Sequence, residues 1–199
     1  VLTRRGVRWR APAVIVTTGT FLRGLAHVGL ENFPAGRAGE PPAKDLSGAL
    51  EVLGLEVKRF KTGTPPRLDS RSLDYSRFER QDPHPHARPL SHRHARLPED
   101  QLPCWIAWTN AEVHRIISDN LDRSPLYSGS IKSLGPRYCP SIEDKVVKFP
   151  AKTRHQLFLE PEGRQTREVY VNGLSTSLPE DVQLALVRKI PGLERAELM

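Results

Sequence analysis

The sequence predicts an α/β fold. Short runs of strand length recur along the chain, at Ala13-Val-Ile-Val16, Val57-Lys-Arg-Phe-Lys61, Cys104-Trp-Ile-Ala-Trp108, His155-Gln-Leu-Phe-Leu159 and Glu168-Val-Tyr-Val171. Segments with helix caps and apolar stripes lie between and after them, at 45–53, 109–120, 140–149 and 177–190. Their order, a strand and loops followed by mixed strands and short helices, suits an α/β architecture.

The first run is apolar and β-branched, so a buried strand is expected, ending in the small-residue turn Thr17-Thr-Gly-Thr20. Residues 24–42 are rich in Gly and Pro, with Arg37 and Glu40 embedded. Glycines 29, 36 and 39 imply tight backbone paths. Asp45 is expected to cap a helix over Leu46–Leu53 that Gly54 stops, with Leu46, Leu50 and Leu53 on one face. The strand 57–61 then runs into Thr62-Gly-Thr-Pro-Pro-Arg67, a second turn of the kind that faces a ligand. Its flanking charges, Lys61 and Arg67, suit phosphate or plain solvation.

Residues 71–101 change composition, with His84-Pro-His86 and His92-Arg-His94 in a Pro/Arg-rich setting. Imidazole pairs invite a metal reading, which is set aside because no carboxylate or thiol stands at ligand spacing. Thr109-Asn-Ala-Glu112 is a capping box that opens a helix to about Asn120, its buried stripe Val113, Ile116 and Ile117. Glu160-Pro-Glu-Gly163 and Asn172-Gly173 supply turns. Ser177, Pro179 and Glu180 open a last helix with Val182, Leu186 and Ile190 on its apolar face, ended by Pro191-Gly192.

The 199 residues carry a net charge of +7, which favours a polyanionic partner or nucleotide phosphates, although ordinary solubility charge also accounts for it. Two cysteines, Cys104 and Cys139, make no disulfide framework and fit a reducing compartment. No apolar run reaches membrane-spanning length. The chain begins with Val, and both ends read as internal to a longer protein.

One stretch organises the rest: Gly135-Pro-Arg-Tyr-Cys-Pro-Ser-Ile-Glu-Asp-Lys145. Pro140 suits the first position of a helix, and Ser141 and Asp144 stand at capping-box spacing, so Cys139 falls at or just before a helix N-terminus. The helix dipole and the Arg137 guanidinium would both favour a thiolate there. An inert, buried cysteine beside a surface arginine is equally compatible with the spacing.

This stretch closely resembles the corresponding segment of the GidA/MnmG family of flavoproteins, which modify the wobble uridine of certain tRNAs. The resemblance extends through Thr17-Thr-Gly-Thr-Phe-Leu22, Gly29–Pro42, Lys61–Arg67, Leu102-Pro-Cys104, Arg123-Ser-Pro125, Phe158–Gly163 and Ser175–Pro179. It lapses over residues 81–101 and the first ten residues. Ala43 stands where relatives often carry Ser, and Val171 where they usually carry Pro.

The resemblance implies part of a two-dinucleotide-binding (Rossmann-like) FAD domain plus an inserted mixed α/β domain. Residues 1–67 would end the first FAD-binding segment, and 68–199 would be the NADH-associated insertion, with 81–101 as a variable loop. No Gly-x-Gly-x-x-Gly occurs in the chain, so the main dinucleotide fingerprint is not within it. By resemblance, FAD would be met by Thr18, Gly19, Thr20, Ala43, Lys61, Thr62 and Gly63. NADH would be met by the run Gly135, Pro136, Arg137, Tyr138, Cys139, Pro140, Ser141, Ile142, Glu143, Asp144, Lys145, Val146, Val147, Lys148 and Phe149.

The implied catalytic residues are Cys139, as a nucleophile, with Arg137 and Lys145. Methylenetetrahydrofolate would be the one-carbon donor, tRNA the substrate and an MnmE-type GTPase the partner. The complete protein would be a cytoplasmic homodimer, and this piece alone inactive. The competing readings are a folate- and FAD-dependent tRNA uridine methyltransferase and a non-catalytic RNA-binding module.

Overall fold

The computed structural model describes residues 1–98, 100–131 and 140–199. By its internal contacts the chain divides into two units, Val1–Ala26 with Phe33–Val57, and His27–Asn32 with Lys58–Met199.

The first unit is mostly irregular. Two short strands, β1 (Leu25–Val28) and β2 (Glu31–Pro34), form a two-stranded ribbon whose tip belongs to the second unit. The helix α1 (Asp45–Val52) follows. Asp45 is its first residue and not its cap; Lys44 takes the cap position, without a side-chain hydrogen bond. The Asp45 carboxylate pairs with Arg4 instead. Gly54, at φ +82°, ends the turn that follows, as expected. Leu46 and Leu50 are half-buried, but Leu53 is exposed, so the leucine face is only partly covered.

The buried strand expected at 13–16 does not form. The segment is extended without strand pairing, and Ile15 is 86% exposed. An apolar run forms a strand only where another strand takes up its backbone N–H and C=O groups, and among the described residues none does. The strand expected at 57–61 also fails. That segment is irregular and mostly exposed, with Lys61 buried at its end.

The second unit is built on a five-stranded antiparallel sheet of order β3-β7-β6-β5-β4. Its strands are β3 (Arg67–Asp69), β4 (Glu79–Gln81), β5 (Cys104–Trp108), β6 (Gln156–Pro161) and β7 (Glu168–Asn172). The register places Leu68 opposite Val169, Val171 opposite Leu159, and Leu157 opposite Ala107. Strand alternation sends these side chains to one face, where all are buried. They form one core with Val113 and Ile117 of α2 (Ala111–Ser118), Ile142 and Val146 of α3 (Ile142–Lys148), and Val182, Leu186 and Val187 of α4 (Glu180–Val187).

The cap of α2 is Asn110, one residue later than the capping box suggests; its side chain accepts from the Val113 N–H. Thr109 is used elsewhere, as described below. Of the two starts the sequence offers, α3 takes the later: the Ser141 hydroxyl caps it by accepting from the Asp144 N–H at 3.3 Å, and Pro140 lies before the helix and not at its first position. Ile190 is fully buried just beyond α4.

Candidate functional site

Helix α3 is tied down from inside by a carboxylate. Glu143 has no exposed surface. Its Oε1 accepts from the Thr176 hydroxyl at 3.1 Å, the Ser177 N–H at 3.2 Å and the Ser124 hydroxyl at 3.5 Å. Its Oε2 has no hydrogen-bond partner among the described residues. The Ile142 N–H donates to the Ser175 carbonyl at 2.7 Å, and Lys145 Nζ to the Gly173 carbonyl at 2.8 Å. Segment 173–177 therefore meets Ile142, Glu143 and Lys145 near the start of α3. Gly173 is required there: its φ is +95°, and a Cβ would stand 2.9 Å from the Gln156 carbonyl oxygen.

The same segment holds the turn around Lys61. The Thr176 N–H donates to the Thr64 carbonyl at 3.2 Å, and a Cβ on Gly63 would sit 3.0 Å from Cβ of Ser175. Segment 173–177 so brings the 61–64 turn beside α3. Lys61 Nζ lies 3.9 Å from Asp144 Oδ2, with the two side chains 5% and 15% exposed. The Lys61 ammonium has no hydrogen-bond partner among the described residues. A buried cation held only by a long ion pair is costly to keep, and it is the group in this unit best placed to meet an anion.

Asp144 has further partners. Lys148 Nζ lies 3.0 Å from its Oδ1, and the Tyr127 hydroxyl donates to Oδ1 at 3.3 Å. Burial, and then the negative charge of Asp144, push the Tyr127 phenol up to about 12. It stays a neutral donor throughout the physiological range.

A histidine pair joins α2 to the start of β6. The Thr109 hydroxyl oxygen accepts from the His155 backbone N–H at 2.8 Å and stands 2.8 Å from His114 Nε2. The rings of His114 and His155 are 5.1 Å apart. Burial lowers both pKa values, and at His155 the charges of His114, Lys145 and Lys152 lower it further. A neutral His114 can take the threonine proton at Nε2.

In the first unit, the Phe21 N–H donates to the Thr18 carbonyl at 3.0 Å, the Ala43 N–H to the Phe21 carbonyl at 2.8 Å, and the Arg23 N–H to the Ala43 carbonyl at 2.9 Å. These bonds gather Thr18, Gly19, Thr20 and Ala43 into one neighbourhood. Gly19 has φ +54° and open space where a Cβ would be. The Thr20 hydroxyl donates to the Gly36 carbonyl at 2.6 Å.

The residues expected from the sequence thus fall into groups. Thr18, Gly19, Thr20 and Ala43 cluster in the first unit, and Lys61, Thr62 and Gly63 lie in the second. Of the run 140–149, Ile142, Glu143 and Val146 point into the core, whereas Val147, Lys148 and Phe149 are exposed. Gly135, Pro136, Arg137, Tyr138 and Cys139 lie outside the described residues. Cys104 is half-buried in β5, and burial followed by the charge of Glu160 raises its thiol pKa and disfavours the thiolate. Among the described residues, no three or more His, Cys, Asp or Glu side chains converge as metal ligands. None of their helices is long and apolar enough to cross a membrane.

Sequence reasoning missed Tyr127, the anchoring by Glu143 and the histidine pair. Tyr127 sits in a loop without periodicity, and a capping-box register does not reveal which helix side chain is buried.

A mixed α/β chain with this arrangement has close counterparts among solved structures. It superposes on the Aquifex aeolicus GidA structure in the form I crystal with a TM-score of 0.85 and 48% sequence identity, covering 100% of this chain and 34% of that one. The form II crystal of the same protein gives a TM-score of 0.83 at 44% identity, covering 98% and 32%. All of residues 1–199 match the family described as "Glucose inhibited division protein A", and the chain belongs to that family.

Its relatives include a protein of Thermodesulfovibrio yellowstonii, 57% identical over 199 residues and 100% of this chain. Another, from Geobacter metallireducens, is 58% identical over 197 residues and 99% of the chain. Both are named "tRNA uridine 5-carboxymethylaminomethyl modification enzyme MnmG". The chain spans 32% of the length of each.

Proposed function

We propose that this chain forms part of an enzyme that adds a carboxymethylaminomethyl-type group to C5 of a tRNA wobble uridine. In this reading the complete protein is a cytoplasmic homodimer that uses FAD, NADH and methylenetetrahydrofolate and works with an MnmE-type GTPase. The observation that carries the reading is the 57% identity, along the whole chain, to a protein named for this modification.

The residues present fit a dinucleotide. The Lys61 ammonium is buried with no hydrogen-bond partner among the described residues, which suits a phosphate oxygen. The open Gly19 turn lets backbone approach a ligand. FAD would be held by Thr18, Gly19, Thr20 and Ala43, and by Lys61, Thr62 and Gly63. With alanine at position 43, contact there comes from the backbone. NADH would be met along 135–149, from the outward Val147, Lys148 and Phe149 within the described part. When bound, these cofactors supply the redox chemistry.

The chain's own contribution is a nucleophile and its cations. Cys139 attacks uridine C6 or a one-carbon intermediate. Arg137 and Lys145 hold phosphate and favour the thiolate. The Gly173 carbonyl, which accepts from Lys145 Nζ at 2.8 Å, keeps that ammonium at a set place on α3.

The test is made on the complete protein. A flavin absorption spectrum that bleaches on adding NADH is expected, together with the modified nucleoside in digested tRNA. Cys139→Ser should abolish the nucleoside while leaving the flavin bound, and Lys61→Met should weaken flavin retention. Normal tRNA modification by Cys139→Ser removes the nucleophile assignment. A colourless protein without flavin removes the cofactor assignment.

A further inference from the structure

We propose that the connection between β4 and β5 is an arm that grips the sugar-phosphate backbone of RNA. Gln81 pairs with Cys104, so the chain from 82 to 103 leaves the sheet and returns to the same point. Among its described residues the connection has no strand or helix of its own, and a loop of this length is uncommon in a compact unit and is usually functional or a linker. Leu90 at its middle is 102% exposed.

The charges of the arm are sorted. At its foot, cations are neutralised: Arg80 pairs with Asp82 at 2.8 Å, and Arg164 with Asp100 at 3.1 Å. Between the two pairs lie Arg88, Arg93 and Arg96, with no acidic residue before Glu99. All three arginines are exposed, and none has an ion-pair partner among the described residues.

The arm is also locally shaped. The His84 ring nitrogen accepts from the His86 N–H at 3.1 Å, and the Ala87 N–H donates to the His84 carbonyl at 3.0 Å. The Ser91 hydroxyl accepts from the Arg93 N–H at 3.2 Å, and the His94 N–H donates to the Ser91 carbonyl at 3.3 Å. Each of these two turns carries a His-x-His pair with an arginine within or beside it.

Guanidinium forks match phosphate oxygens, and imidazole and guanidinium planes stack on exposed bases. A membrane surface would call for an apolar stripe to insert beside the cations, and Leu90, Leu97 and Leu102, scattered among Pro, His and Arg, do not make one. An RNA backbone is therefore the occupant that the arm fits. The inference rests on the reading of the complete protein as a tRNA-modifying enzyme.

The experiment uses the complete enzyme and substrate tRNA, with affinity measured across a salt series. Replacing Arg88, Arg93 and Arg96 together by Ser should flatten the slope of log affinity against log salt by about two to three units. The KM for tRNA should rise, with kcat at saturating tRNA unchanged. Replacing the same three by Lys should restore the slope, because phosphate contacts need charge more than shape. An unchanged slope in the Ser variant of an enzyme that still modifies tRNA overturns the arm alone. A wild-type enzyme that binds no tRNA overturns the arm and the proposed function together. A Ser variant that loses binding to phosphatidylserine vesicles while keeping its tRNA affinity also overturns the arm, in favour of a membrane surface.

Discussion

Ala13–Val16 in the first unit and Gln156–Leu159 in the second are both short apolar runs, yet one is an exposed coil and the other the centre of a sheet. Leu157 and Leu159 have no exposed surface, while Val14, Ile15 and Val16 are 59%, 86% and 47% exposed. The second run has a strand on each side, β5 and β7, to pair its backbone. The first has none among the described residues. A strand is a property of a neighbourhood, and apolar content announces only a segment able to join one. The buried hydrophobic residues all belong to the second unit, so its sequence patterns are the ones realised as packed elements.

The sharpest way to break this contrast is truncation. Leu159→Ala should destabilise the second unit by about 2–5 kcal/mol, because it opens a cavity in a closed core. Ile15→Ala should change stability by less than about 0.5 kcal/mol. Denaturant unfolding of both variants checks this, and similar losses would erase the distinction between the units. Amide exchange sharpens it further: Leu157 and Leu159 should be protected about a thousandfold or more over Val14–Val16.

Within the second unit, Glu143→Ala should cost about 1–3 kcal/mol. It leaves the Thr176 hydroxyl and the Ser177 N–H without their acceptor. The unfolding midpoint reports it, and no loss would mean that Glu143 does not anchor α3.

A smaller effect is expected from pH. His114 and His155 have folded pKa values below the usual 6.5. The unfolded chain therefore binds their protons first, and stability should decline as pH falls through about 6.5 toward the lower folded values. His155→Gln should shrink that decline in melts between neutral pH and pH 5, while the first unit should show no such dependence. At the acid end, hydrogen bonds from Arg71 hold the Asp69 carboxyl near 2. The stabilisation from that pair is present above the ordinary carboxylate range and is lost as pH falls toward 2. Arg71→Ala should lower stability slightly at neutral pH and not at all well below pH 2, where the Asp69 carboxyl is protonated.

Local patterns were readable wherever a partner existed. The strands at 104–108, 156–161 and 168–172 and the helices after Asn110, Ser141 and Pro179 follow from alternation, caps and apolar stripes. The helix start at Ser141 was readable because its hydroxyl acts on an N–H three residues away, within the chain's own local reach. The shift of the α2 cap from Thr109 to Asn110 was not, because Thr109 is claimed by His155, 46 residues further on. Nor did any sequence pattern join Lys61 to Asp144, which were expected to meet different cofactors. Their meeting depends on segment 173–177, distant from Lys61 in the chain, to hold the 61–64 turn and α3 side by side.

The amino-acid order settled those features whose energetics are local: turn chemistry, caps, strand alternation, and the run of arginines without acidic residues between residues 83 and 96. Three-dimensional packing alone settled which apolar runs became strands, which carboxylate of α3 was buried and which cation was left unsatisfied. The reason is physical. Burial, hydrogen-bond pairing and the loss of water around a charge depend on neighbours far away in sequence, and only the folded chain supplies them.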